Sequence, residues 1–165
     1  MPHPGRFIGI PPGRAIMSGV KRDPFNLAQT RALIPQMPFN HHLGLHVMRM
    51  FKDGLALECA MRKDMQNGHG TLHGGVTASL VDAAVGIAAI ALSGGRRLST
   101  VDLKVTYLRP AVEGKLHCRA HLIKSGRTLV FGEAKVRDES GRVVASGQAT
   151  YIYLEESAED WRPLP

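Results

Sequence analysis

The segment from Val76 to Ser93 constrains this chain most: eighteen residues carry one ionisable group, Asp82. At about 1.5 Å per helical residue it would just cross a bilayer core of roughly 30 Å. Three features oppose a membrane span. Much of the segment is Ala, Gly, Ser and Thr, the carboxylate lies near its middle, and alternating strand patterns follow it. The reading is therefore a buried central helix of a soluble protein. A helix apolar nearly all round must be enclosed on several sides, and a strongly curved antiparallel sheet wrapped round it meets that need.

The flanking sequence supplies such a sheet. A first strand is predicted near 43–51, and Asp53-Gly54 signals a hairpin turn before Leu55, Leu57, Cys59 and Met61 alternate with Ala56, Glu58, Ala60 and Arg62. After the helix, Val101, Leu103, Val105 and Tyr107 alternate, then Leu116, Cys118, Ala120 and Leu122. Two more strands are predicted near 128–137 and 142–154, with turn chemistry at Glu113-Gly114, Ser125-Gly126 and Ser140-Gly141. Sequential strands joined by tight turns give an antiparallel α+β domain. Its sheet has open edges, and pairing of two copies through an edge is expected.

Residues 1–22 precede this pattern with Arg6, Arg14, Lys21 and Arg22 among Pro and Gly and no acidic residue, and are expected to be poorly ordered; Met17 is a second candidate start. Asp23-Pro24 has the form of an N-cap and first helical position. The helix would carry Leu27, Arg31 and Ile34 on one side and end before Pro35 as a prelude to the core. The organisation is an extension over 1–37, one domain over 38–156 and a tail over 157–165.

With 44% apolar and 21% charged residues in 165, the composition is that of one ordinary globular domain. The net charge of +7 calls for an anionic partner. Nucleic acid fits poorly: aromatics are 5% of the chain, the basic residues are scattered, and no ribonucleoprotein or helix-turn-helix pattern occurs. Cys59 and Cys118 lie far apart within alternating segments, as reduced buried thiols would, and no apolar leader is visible, so a cytoplasmic location is expected.

The chemistry concentrates in Asn67-Gly68-His69-Gly70-Thr71-Leu72-His73-Gly74-Gly75, which runs straight into the helix. Unpaired amides at the helix start, Gly74 and Gly75 among them, offer donors to a developing oxyanion. Asp82 is costly to bury unless hydrogen-bonded or functional, and desolvation would raise its pKa toward the range of a general base. It follows Gly75 by seven residues, about 10 Å along the axis. That is too far for both to act on one carbonyl within a protomer, so cooperation would run across a two-fold interface. His69 and His73 have zinc-like spacing, but the surrounding glycines oppose a helix there and no Glu completes a zinc motif. No nucleophile elbow, phosphate loop or dinucleotide fingerprint occurs.

The string Asn67…Leu72-His73-Gly74-Gly75…Asp82, followed by Thr100-Val101-Asp102-Leu103…Thr106-Tyr107-Leu108-Arg109-Pro110-Ala111 and Lys124-Ser125-Gly126-Arg127-Thr128-Leu129, resembles the hotdog-fold acyl-CoA thioesterases of the phenylacetic-acid-degradation (PaaI-like) group. The resemblance runs from about Pro38 to Leu154. It implies that Asp82 is base or nucleophile, that the Gly74 amide polarises the thioester carbonyl, and that Asn67 positions carbonyl or water. His73 would support that set and Thr100 orient the water. It places coenzyme A contacts at Gly75, Arg109, Lys124, Ser125, Gly126 and Arg127, with Arg96 and Arg97 nearby. It further implies an acyl-CoA substrate, no cofactor and no metal, no nucleic-acid or membrane partner, and a site completed in a homodimer, commonly within a tetramer. Thr100 stands where the family has Ser, and the first forty residues exceed the minimal domain. A noncatalytic acyl-CoA-binding protein on the same fold is the alternative; the chain shows no output module for it, and the Asn, Gly and Asp set is intact.

Overall fold

In a computed structural model the described residues are 22–154. They form six strands, β1 (Leu45–Phe51), β2 (Gly54–Ala60), β3 (Leu98–Tyr107), β4 (Lys115–Ser125), β5 (Leu129–Arg137) and β6 (Val143–Tyr153), in one antiparallel sheet of order β1-β2-β4-β5-β6-β3. Helices α1 (Leu27–Arg31) and α2 (Pro38–His42) precede the sheet, and the long helix α3 (Gly74–Leu92) lies against β2 through β6. This is the hotdog arrangement, a sheet curved round one helix, and it is α+β as the sequence pattern predicts.

The core forms where the two periodicities meet. Leu55, Leu57 and Cys59 from β2, Leu116, Cys118 and Ala120 from β4, and Leu80, Val81, Val85 and Ile87 from α3 are all buried. Gly132 and Gly147 let the helix settle close to the sheet. A Cβ at Gly132 would stand 2.5 Å from Val85 Cγ1, and one at Gly147 2.8 Å from Val81 Cγ1. The segment with the composition of a membrane span thus serves as the core helix, enclosed by strands.

Burial pushes the Cys118 thiol up to about 12, and Cys59 is raised mainly by the same cause. A thiol raised above its unfolded value favours the fold fully below that value and loses the contribution as pH climbs. Stability measured by urea unfolding is therefore expected to decline from about pH 9 toward pH 12. A Cys118→Ala variant should show a flatter decline over that window.

Four local expectations are corrected. The helix before the sheet starts later: Asn26, not Asp23, is the N-cap, because Asn26 and Gln29 form a reciprocal capping box at 3.0 and 2.9 Å. It ends at Arg31, and Pro35 lies inside a short 3-10 turn over Ile34–Gln36. This segment is more than a prelude, since Thr30 and Ile34 are buried in the core. The hairpin loop between β1 and β2 is Lys52-Asp53, because Gly54 already pairs with Phe51.

Val101 is not part of the inward alternation; it sits at a register break between Thr100 and Asp102 and is 59% exposed. Glu113-Gly114 does not close a hairpin either, since β3 pairs with β6 at one edge while β4 lies beside β2. The 108–114 connection crosses under the helix start instead, where Leu72 N–H donates to the Ala111 carbonyl at 2.8 Å. The expectations for residues 1–21 and for the tail, Met17 and the poorly ordered lead-in among them, concern residues outside those described.

The two sheet edges differ. At β1, Arg31 Nε donates to the Val47 carbonyl at 2.8 Å, so α1 covers part of that edge. At β3 the inward-facing Leu103 and Tyr107 are 37% and 55% exposed, which leaves that edge and its inner face without cover among the described residues.

Candidate active site

The loop before α3 is built by its own polar groups. Asn67 Oδ1 accepts from the amides of His69 and Thr71 at 2.9 and 3.3 Å, and Asn67 Nδ2 donates to Thr71 Oγ1 at 2.9 Å. One amide hydrogen of Asn67 then remains for a ligand. Gly70 takes φ +73°, a left-handed backbone that glycine adopts without strain. The loop feeds His73, which is the N-cap of α3: its Nδ1 accepts from the Gly75 amide at 2.9 Å. An accepting Nδ1 puts the ring proton of the neutral imidazole on Nε2, leaving one donor outward.

That bond separates the two glycines. The Gly75 amide is satisfied by His73, whereas the Gly74 amide has no acceptor among the described residues. Gly74 is thus the free donor at the positive end of a nineteen-residue helix. Tyr107, on β3, fixes it from the other side, with Oη donating to the Gly74 carbonyl at 3.1 Å. Gly74, Tyr107, Arg109 and Leu72 line a cleft of ≈ 310 Å³.

Asp82 lies two turns further along α3 and is partly exposed, not buried as its apolar surroundings predict. The structure brings Thr100 to it, with Oγ1 donating to Asp82 Oδ1 at 3.1 Å. Tyr151, on β6, shares its single hydroxyl hydrogen between the same oxygen, 2.7 Å from Oη, and the Asp82 backbone carbonyl. Burial first, then the Asp82 charge and the bond to its carboxylate, hold the Tyr151 phenol far above the usual tyrosine range, so it stays protonated. Asp82 Oδ2 takes no hydrogen bond among the described residues.

Sequence reading missed Tyr151. The signal was present: it lies on the inward period of β6, and a buried phenol needs a polar partner. The one ionisable group on the helix it faces is Asp82.

The expected coenzyme A contacts fall into two places. Arg109 is beside the Gly74 cleft, with Nη1 donating to the Val143 carbonyl at 2.7 Å. Lys124, Ser125, Gly126 and Arg127 turn between β4 and β5 at the opposite end of β3. There Arg96 stacks 3.6 Å over the Tyr153 ring and donates to the Arg127 carbonyl at 2.9 Å, and Ser125 Oγ and Tyr153 Oη lie 3.1 Å apart. One protomer brings together Asn67, His73, Gly74 and Arg109 at one end of β3, and Asp82, Thr100 and the 124–127 turn toward the other.

Residues 69–145, from the loop before α3 to the first three residues of β6, match the Thioesterase superfamily. Acyl-coenzyme A thioesterase 13 of Mus musculus is 37% identical over 98 residues, covering 57% of this chain and 70% of that protein. This chain belongs to the thioesterase superfamily. A solved thioesterase family protein from Silicibacter pomeroyi shares 29% identity over 79% of this chain and all of that one, with a TM-score of 0.73. The PaaI protein of E. coli is similar in fold, at 20% identity and a TM-score of 0.67 over 78% of this chain and 96% of its own.

Proposed function

We propose that the chain hydrolyses acyl- or aryl-acyl-CoA thioesters to the free acid and CoA, in a site that two subunits build across paired β3 edges. One observation carries this reading. Within a protomer, Thr100 on β3 holds Asp82 and Tyr107 on β3 holds Gly74. The two are seven residues apart, about 23 Å along an extended strand. When two copies of β3 pair antiparallel about a two-fold axis near Leu103, Thr100 and Asp82 of one come opposite Tyr107 and Gly74 of the other. The same pairing brings Arg109 of one subunit toward the 124–127 turn of its partner, gathering the basic residues for the CoA phosphates.

In that composite site the Gly74 amide donates to the thioester oxygen, and its bond strengthens as the oxygen gains charge. Asn67 and the Nε2 proton of His73 stand beside it. Asp82 delivers the attacking oxygen, its own or that of a water it deprotonates, and Thr100 orients that water. The C–S bond breaks and CoA leaves as thiolate and takes a proton; attack by water gives the free acid directly, whereas attack by Asp82 gives a mixed anhydride that a water then hydrolyses to the acid and the restored carboxylate. Single turnover in ¹⁸O water separates the two forms of attack, since only a direct one puts the label into Asp82.

The activity test is thiol release from a panel of aryl- and medium-chain acyl-CoAs. Turnover of at least one is expected. Binding of the same ligands with no thiol released would make the chain a noncatalytic acyl-CoA binder instead.

A further inference from the structure

Asp82 is held by more than the helix that carries it. Tyr151 Oη, on the buried inward face of β6, reaches both the Asp82 carboxylate and the Asp82 backbone carbonyl. The side chain of Tyr151 is 2% exposed, so the phenol has exchanged water for these two acceptors. The helix is shaped to admit it. One turn on from Asp82 stands Gly86, and a Cβ there would be 2.9 Å from Tyr151 Oη and 3.2 Å from its Cζ. No other helical residue type leaves room for the hydroxyl at that point.

We propose that Tyr151 is a positioning residue for the hydrolytic carboxylate, and that Gly86 is the notch that lets it in. Tyr151 and Thr100 both donate to Oδ1, which fixes the rotation of the carboxylate and commits that oxygen to structure. Oδ2 is thereby presented as the single reactive oxygen. A carboxylate free to rotate would spend part of its time with the wrong oxygen toward the acyl group, and misplacement of this kind costs rate, not binding. Because the phenol remains protonated, the hold persists over the whole working pH range.

This role rests on the reading of Asp82 as the group that carries hydrolysis, and the test separates the two. Tyr151→Phe keeps the ring and the packing and removes only the donor. Its kcat is expected to fall about tenfold or more with KM changed less than about twofold, the signature of an interaction that matters in the transition state. Gly86→Ala keeps the phenol and displaces its oxygen, and it should lower kcat in the same way while the ring stays in the core. It also covers the case in which Tyr151→Phe does not fold. Asp82→Asn is measured beside them with the same acyl-CoA.

If either folded variant keeps the parent kcat, or raises only KM, while Asp82→Asn is inactive, the positioning role is wrong and the proposed function stands. If Asp82→Asn itself turns over at the parent rate, the reading of Asp82 fails and Tyr151 has nothing to position.

Discussion

Asp82→Asn is expected to lower kcat on a turned-over acyl-CoA by about 10³-fold while leaving the fold and KM close to those of the parent. The geometry says why the two effects separate. Asparagine keeps an Oδ1 that can still accept from Tyr151 and Thr100, so the hydrogen bonds that tie α3 to β6 and β3 survive the change. What is lost is the charge, and with it the basic oxygen at the Oδ2 position. Steady-state kinetics by thiol release, with thermal unfolding as the control, reads both quantities. A fall in kcat accompanied by an equal fall in folded fraction would mean that the carboxylate had been holding the helix, and an unchanged kcat would remove it from the chemistry.

Much of this site was legible in the chain because its members carry short-range signals. The glycines around His69 and His73 mark tight backbone before a helix, the lone Asp82 stands out in an apolar run, and the period-2 pattern of β4 to β6 gives the sheet. What was illegible depends on pairing. Nothing near Glu113-Gly114 says that β3 goes to the far edge beside β6 while β4 returns to β2, since both outcomes satisfy the same alternation. For that reason Arg109 and the 124–127 turn were grouped on motif alone, although β3 separates them. Tyr151 was hidden for the same reason: its partner is 69 positions away in the chain. The bulge that turns Val101 outward is likewise a property of the β3–β6 register, not of either strand alone. The cover over β1 depends on a contact no local pattern encodes, Arg31 reaching the Val47 carbonyl.

The second large effect concerns the assembly of the site from two subunits. Gly74→Pro deletes the one amide that is free at the helix start, and its Cβ would stand 3.3 Å from the Tyr107 ring, which must give by a few tenths of an ångström. Gly74 is the first residue of α3, where proline's fixed φ and missing N–H are tolerated. The preceding His73 has φ −64° and ψ 133°, the extended backbone that a following proline requires. Loss of an oxyanion donor is expected to cost about 10² to 10³ in kcat. Gly74→Pro and Asp82→Asn should therefore each be nearly inactive alone. If each site takes Asp82 from one subunit and Gly74 from the other, refolding the two variants together restores activity. Half of the random dimers are mixed, and each mixed dimer has one site with both native groups, so about one quarter of the parent activity should return. A site contained in one protomer would restore none, because every chain in the mixture lacks one of the two groups. The same experiment with Leu103→Lys in both chains should lose the restoration, since a charge on the uncovered face of β3 opposes the pairing through which the two halves meet.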